Sequence, residues 1–86
     1  MFESQSQSEP VLQPYVEIEL INGKNLPIRD SNGLSDPFVV FKIKNFKVKS
    51  KTIMKNLNPI WNQKLKLQIP IKSILDKEYI ESLIFF

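Results

Sequence analysis

The sequence predicts an all-β domain, an antiparallel sandwich of short strands. Apolar and polar residues alternate with period two in five short runs, and turn-forming residues separate those runs. The apolar content of 42% and charged content of 24% are those of a globular chain, and 86 residues suffice for one domain at most.

Residues 1–13 form a Ser/Gln/Glu-rich tail, expected to be flexible, so the folded domain spans 14–86. The run "YVEIELI" puts Val16, Ile18 and Leu20 on one face and Glu17 and Glu19 on the other, a half-buried first strand. A long connection, "NGKNLPIRDSNGLSDP", follows with its own turn signals. In the second strand, "FVVFKIK", Val39, Phe41 and Ile43 share one face, while Phe38, Val40, Lys42 and Lys44 share the other. Asn45 allows a short hairpin into a third strand, "FKVKSKTI", which aligns Lys47, Lys49 and Lys51. Asn58-Pro59 makes a turn, because proline pushes the preceding residue into extended geometry. "KLKLQI" is the fourth strand, with Leu65, Leu67 and Ile69 inward. The spacing of Ile71, Ile74, Leu75 and Tyr79 suits one or two turns of helix within 72–81, and "SLIFF" reads as a fifth strand. Trp61, Phe41, Phe46, Phe85 and Phe86 are expected in the core, with Asn62 supporting the turn. A chain closing on four apolar residues, Leu83 to Phe86, is expected to be a truncated one.

The chain contains neither cysteine nor histidine. Disulfides, thiolate or imidazole zinc sites and the usual general base are thereby excluded, and a bound metal would have to be a hard cation held by oxygen. No glycine-rich phosphate loop or other catalytic constellation is present, so an enzyme is not expected. Without a signal-like N-terminus or an apolar run of membrane-spanning length, the expected setting is cytoplasmic. Net charge is +3, unevenly spread: nine lysines and no acid lie between Pro37 and Leu75. A stretch of one sign faces an anionic partner or is a solvated sheet face that discourages aggregation.

The strings "VEIELINGKNLP", "RDSNGLSDPFVVFKI", "KVKSKTIMKNLNPIWN" and "KLKLQI", taken in this order, resemble the N-terminal portion of a C2 domain, the calcium- and phospholipid-binding β-sandwich. The resemblance runs from Tyr15 to Ile69, with a weaker continuation to Phe86. It implies an eight-stranded sandwich of which about five strands are present, the third calcium loop and last three strands being absent. By resemblance, Asp30 and Asp36 match two first-loop calcium ligands, with a main-chain ligand near Arg29. Calcium takes about 6–8 oxygens, so binding by this chain alone is expected to be weak or absent. From the residues themselves, Asp30 and Asp36 are equally the acids of a turn, Asp30 bonding its own backbone and Asp36 preceding Pro37. An EF-hand is excluded, since counting from Asp30 places Gly33 fourth rather than sixth.

The resemblance also assigns Lys47 and Lys49 to a lysine cluster that takes phosphoinositide headgroups, with Phe38 standing where an aromatic partner is common and Lys42, Lys44 and Lys51 extending the basic face. Ile28, Arg29 and Leu34 flank the first-loop aspartates as membrane-contacting residues, or as ordinary loop variation. The function so implied is docking to anionic phospholipid, calcium-assisted in an intact domain. The alternative is a calcium-independent module for a protein partner that retains remnant ligands. A basic nucleic-acid binder would need aromatics on the lysine face, where Phe38 is the clear one, so nucleic acid is not the expected partner.

Overall fold

Period-two patterning becomes two antiparallel sheets in the computed structural model, which describes residues 13–28, 31 and 33–86. Strand β1 (Tyr15–Asn22) pairs with β4 (Ile60–Gln68). Strand β2 (Phe38–Ile43) lies between β3 (Phe46–Lys49) and β5 (Glu81–Phe85). One short helix, α1 (Ile71–Leu75), joins β4 to β5. The arrangement is that of an incomplete C2-type β-sandwich. Its core is drawn from both sheets: Trp61, Leu65 and Leu67 from β4 and Val39 and Ile43 from β2 are buried, as expected for one face of each alternating strand.

Element boundaries differ from the sequence expectation at specific residues. Strand β4 starts at Ile60, four residues early, because Trp61 and Asn62 together oppose Ile21 in a bulge: Leu20 pairs with Gln63 and Asn22 with Ile60. Asn62 takes φ 44 there, a left-handed conformation that asparagine tolerates. The preceding turn is instead held by Asn58 and Asn56, whose Oδ1 atoms accept from the Asn25 and Asn58 N–H groups. Trp61 is 1% exposed and donates its Nε1–H to the Lys51 carbonyl at 2.9 Å. Gly23 packs beside that ring: a Cβ on it would lie 3.4 Å from Trp61 Cζ3, an ordinary contact distance.

The expected third strand ends at Lys49, so Lys51 is not aligned with Lys47 and Lys49. The cause is Ser50: its buried Oγ accepts the Val39 N–H at 2.8 Å, replacing the carbonyl that would continue the ladder. Lys44 is likewise a hairpin-turn residue with φ 53 rather than a strand residue. The helix is the short one expected in this region, and it closes at Leu75. The Lys77 N–H bonds the Ile74 carbonyl and the Glu78 N–H bonds the Ser73 carbonyl, with Lys77 at φ 52, which is a Schellman closure. Phe46 and Phe85 are surface rather than core residues, 36% and 44% exposed.

Candidate functional site

The register of β2 decides which lysines meet. Lys42 stands opposite Lys47 and Val40 opposite Lys49, so Lys42, Lys47, Lys49, Val40 and Phe38 share the outward face of the second sheet. Strand β5 extends that face with Glu81, Leu83 and Phe85, opposite Lys42, Val40 and Phe38. Phe38 and Phe85 stack with centroids 5.0 Å apart and planes 12° apart, and the Lys49 ammonium sits 4.2 Å above the Phe38 ring. Between these side chains lies a groove of about 480 Å³, with Val40, Leu83 and Phe85 as apolar floor and Lys42, Lys47 and Lys49 as basic rim.

Charge on this face is poorly compensated. Lys42 reaches Glu81 at 3.9 Å, a long and exposed contact, while among the described residues no carboxylate pairs with Lys47 or Lys49. The outward face of the first sheet is different. There Glu17 and Glu19 oppose Lys66 and Lys64, with Lys64 3.8 Å from Glu17 and Lys66 4.1 Å above the Tyr15 ring. Lys64 and Lys66 thus belong to a balanced surface, although they lie in the acid-free stretch of sequence. Of the other lysines, Lys44 pairs with Glu78 at 3.0 Å, and Lys51 lies beside the loops, with its backbone held by Gln63 and Trp61.

The first-loop candidates divide. Arg29 and Asp30 lie outside the described residues. Asp36 is half-buried, and its Oδ1 accepts the Lys55 N–H at 2.7 Å. Two backbone bonds flank this one, Ile53 N–H to the Pro37 carbonyl at 3.0 Å and Asn56 N–H to the Ser35 carbonyl at 2.7 Å. The segment 53–56 is therefore stitched along the end of the first loop, and Ser35, wholly buried, donates its hydroxyl to the Pro27 carbonyl. Ile28 is 60% exposed and Leu34 half-buried. Met54, 62% exposed, joins this loop end; sequence reasoning missed it because its neighbours come from a segment about 20 residues earlier.

The donor set bears on calcium directly. Among the described residues no group of three or more His, Cys, Asp or Glu side chains could hold a metal ion. Among the described residues Asp36 alone brings a carboxylate to this loop end, with one oxygen already engaged by the Lys55 N–H. These residues do not make up the roughly 6–8 oxygens that calcium takes. Among the described residues, no helix is long and apolar enough to cross a membrane.

Comparison with known proteins follows the same lines. The sequence model of the C2 domain family matches residues 14–84. The chain is 46% identical over 54 residues to human "Multiple C2 and transmembrane domain-containing protein 1", covering 63% of this chain and 5% of that protein. It is 49% identical over 61 residues to mouse "Multiple C2 and transmembrane domain-containing protein 2", covering 70% of this chain and 7% of that protein. With Rabphilin-1 of Caenorhabditis elegans the identity is 47% over 55 residues, 58% of this chain and 5% of that protein. The chain thus spans a small fraction of the length of these relatives.

Proposed function

The chain belongs to the C2 domain family, and from that premise we propose that it is a targeting module that docks onto anionic phospholipid through the outward face of its second sheet. The observation that carries the proposal is the groove rimmed by Lys42, Lys47 and Lys49, with Glu81 as its one nearby carboxylate among the described residues. Each basic side chain near an anionic bilayer is worth about 1 kcal/mol, so three acting together contribute about 3 kcal/mol, roughly two orders of magnitude in affinity. The closely spaced phosphates of a phosphoinositide headgroup match three lysines lining one groove better than a monovalent headgroup does. Lys44 and Lys51 add to the basic field from the hairpin and the loop end rather than from the groove. Ile28, Leu34 and Arg29 are proposed as membrane contacts of the first loop.

Calcium enters this proposal as an aid in an intact domain, where Asp30 and Asp36 would be joined by further oxygen ligands. In these 86 residues its contribution is small, because Asp36 is already half committed to Lys55. A second reading, a calcium-independent module for a protein partner, draws on the exposed apolar side chains Ile71, Ile74 and Leu75 at the helix end of the molecule.

Vesicle co-sedimentation distinguishes the two. The proposal predicts binding to phosphatidylcholine vesicles containing phosphatidylserine or phosphoinositide, retained in chelator and weakened by salt. Absence of binding to such vesicles at low salt, with and without calcium, would favour the protein-partner reading.

A further inference from the structure

We infer that Tyr79 is a phosphate acceptor for a tyrosine kinase, and that its modification lowers the positive charge offered by the lysine face. The acceptor assignment stands on the structure; the consequence for docking rests on the reading above.

An aromatic ring contributes to stability mainly through burial, and Tyr79, 92% exposed, contributes almost none. Its position follows from the helix closure. The left-handed turn at Lys77 and the bonds from the Lys77 and Glu78 N–H groups end α1, and the chain then leaves the helix with no regular structure at 78–80. Within this short irregular segment Glu78 and Ile80 are half-buried, and the Tyr79 ring alone stands out into solvent where a kinase can reach it. Asp76, Glu78 and Glu81 surround the tyrosine in sequence, giving a substrate of marked negative character. Tyr15 offers the opposite case: it lies in a paired strand, with the Lys66 ammonium 4.1 Å above its ring.

Tyr79 also stands between two ion pairs that reach the basic sheet. Glu78 holds Lys44 at 3.0 Å, and Glu81 approaches Lys42 at 3.9 Å. In the modification, the Tyr79 phenolic oxygen attacks the γ-phosphorus of a nucleoside triphosphate. The bond between that phosphorus and the β,γ-bridging oxygen breaks, the nucleoside diphosphate leaves, and the phenolic proton passes to a carboxylate base of the kinase. The product carries about −1.5 to −2 charges at neutral pH. Joined to the chain between Glu78, which holds Lys44, and Glu81, which approaches Lys42, that phosphate competes with lipid for Lys42. Loss of Lys42 from docking, at about 1 kcal/mol, corresponds to a roughly 5-fold weaker vesicle affinity.

The test treats the full chain with magnesium ATP and the purified catalytic domain of a broad-specificity tyrosine kinase, and maps the product by mass spectrometry. Phosphate is expected on Tyr79 and not on Tyr15; equal labelling of the two, or labelling of neither, would overturn the assignment. In NMR spectra, the resonances of Lys42 and Lys44 are expected to shift on modification while those of Lys64 and Lys66 hold. Absence of that difference would overturn the coupling. Modified chain should bind phosphatidylserine vesicles roughly 5-fold more weakly, and kinase-treated Tyr79→Phe should bind as untreated chain does. Equal binding by modified and unmodified chain would overturn the switch. Failure of the unmodified chain to bind overturns the switch together with the docking reading, while the labelling and resonance results still decide the acceptor and its coupling to Lys42 and Lys44.

Discussion

Removing the Asp36 carboxylate separates its role as a clasp from any role as a metal ligand. Its Oδ1 accepts the Lys55 N–H at 2.7 Å, and Lys55 holds a left-handed φ of 51. A hydrogen bond to a charged group contributes about 1.5–3 kcal/mol, and the half-exposed setting reduces this to about 1 kcal/mol. Asp36→Ala should therefore lower the melting temperature by about 4–8 °C, the shift expected per kcal/mol in a domain of this size. Asp36→Asn keeps a carbonyl oxygen where Oδ1 stands and loses only the charge, so its loss should be less than about half as large. Thermal denaturation followed by circular dichroism, with chelator throughout, reads both variants free of any metal contribution. A melting temperature for Asp36→Ala equal to that of the unmodified chain would refute the clasp. So would equal losses for the two variants, which would make charge rather than the hydrogen bond the operative feature.

Three further outcomes follow from the same geometry. Lys77→Gly relieves a left-handed lysine at the helix closure and should raise the melting temperature, by about 4–8 °C for a gain near 1 kcal/mol. Trp61→Ala empties the best-buried position and removes the bond to the Lys51 carbonyl; a cost of about 3–5 kcal/mol should abolish cooperative urea unfolding, whereas Trp61→Phe should retain it. Calorimetric titration of calcium into the chain should show no micromolar site, since the described donors fall short of its coordination number.

Much of the fold was legible because alternation is a local signal. Val16, Ile18 and Leu20 against Glu17 and Glu19 need no partner to announce a strand, and all five strands lie where such runs occur. The boundaries were not legible, because tertiary contacts set them. Ser50 ends β3 by turning its hydroxyl onto Val39, and the bulge at Trp61 and Asn62 lengthens β4 back to Ile60. Phe46 and Phe85 look like core residues in sequence, yet Phe85 falls on the outward face opposite Phe38, and Phe46, opposite buried Ile43, lies 36% exposed on an edge strand.

The site was legible to a similar depth. Lys47 and Lys49 were readable as a pair from spacing, and Phe38 falls beside them. Counting nine lysines overstated the basic surface, since β1 brings Glu17 and Glu19 against Lys64 and Lys66 from more than 40 residues away. Equally hidden was the engagement of Asp36 by a backbone N–H 19 residues later. Neither pairing leaves a local mark in the sequence.

The central claim, that one sheet face carries the docking energy, is tested most directly by exchanging its lysines. Vesicle binding is measured in chelator for the unmodified chain, for Lys42→Gln/Lys47→Gln/Lys49→Gln, and for Lys64→Gln/Lys66→Gln on the opposite sheet. At about 1 kcal/mol per lysine, the triple variant should bind roughly two orders of magnitude more weakly, and the double variant close to normally. Equal losses per lysine removed in the two variants would contradict the account, reducing docking to net charge alone.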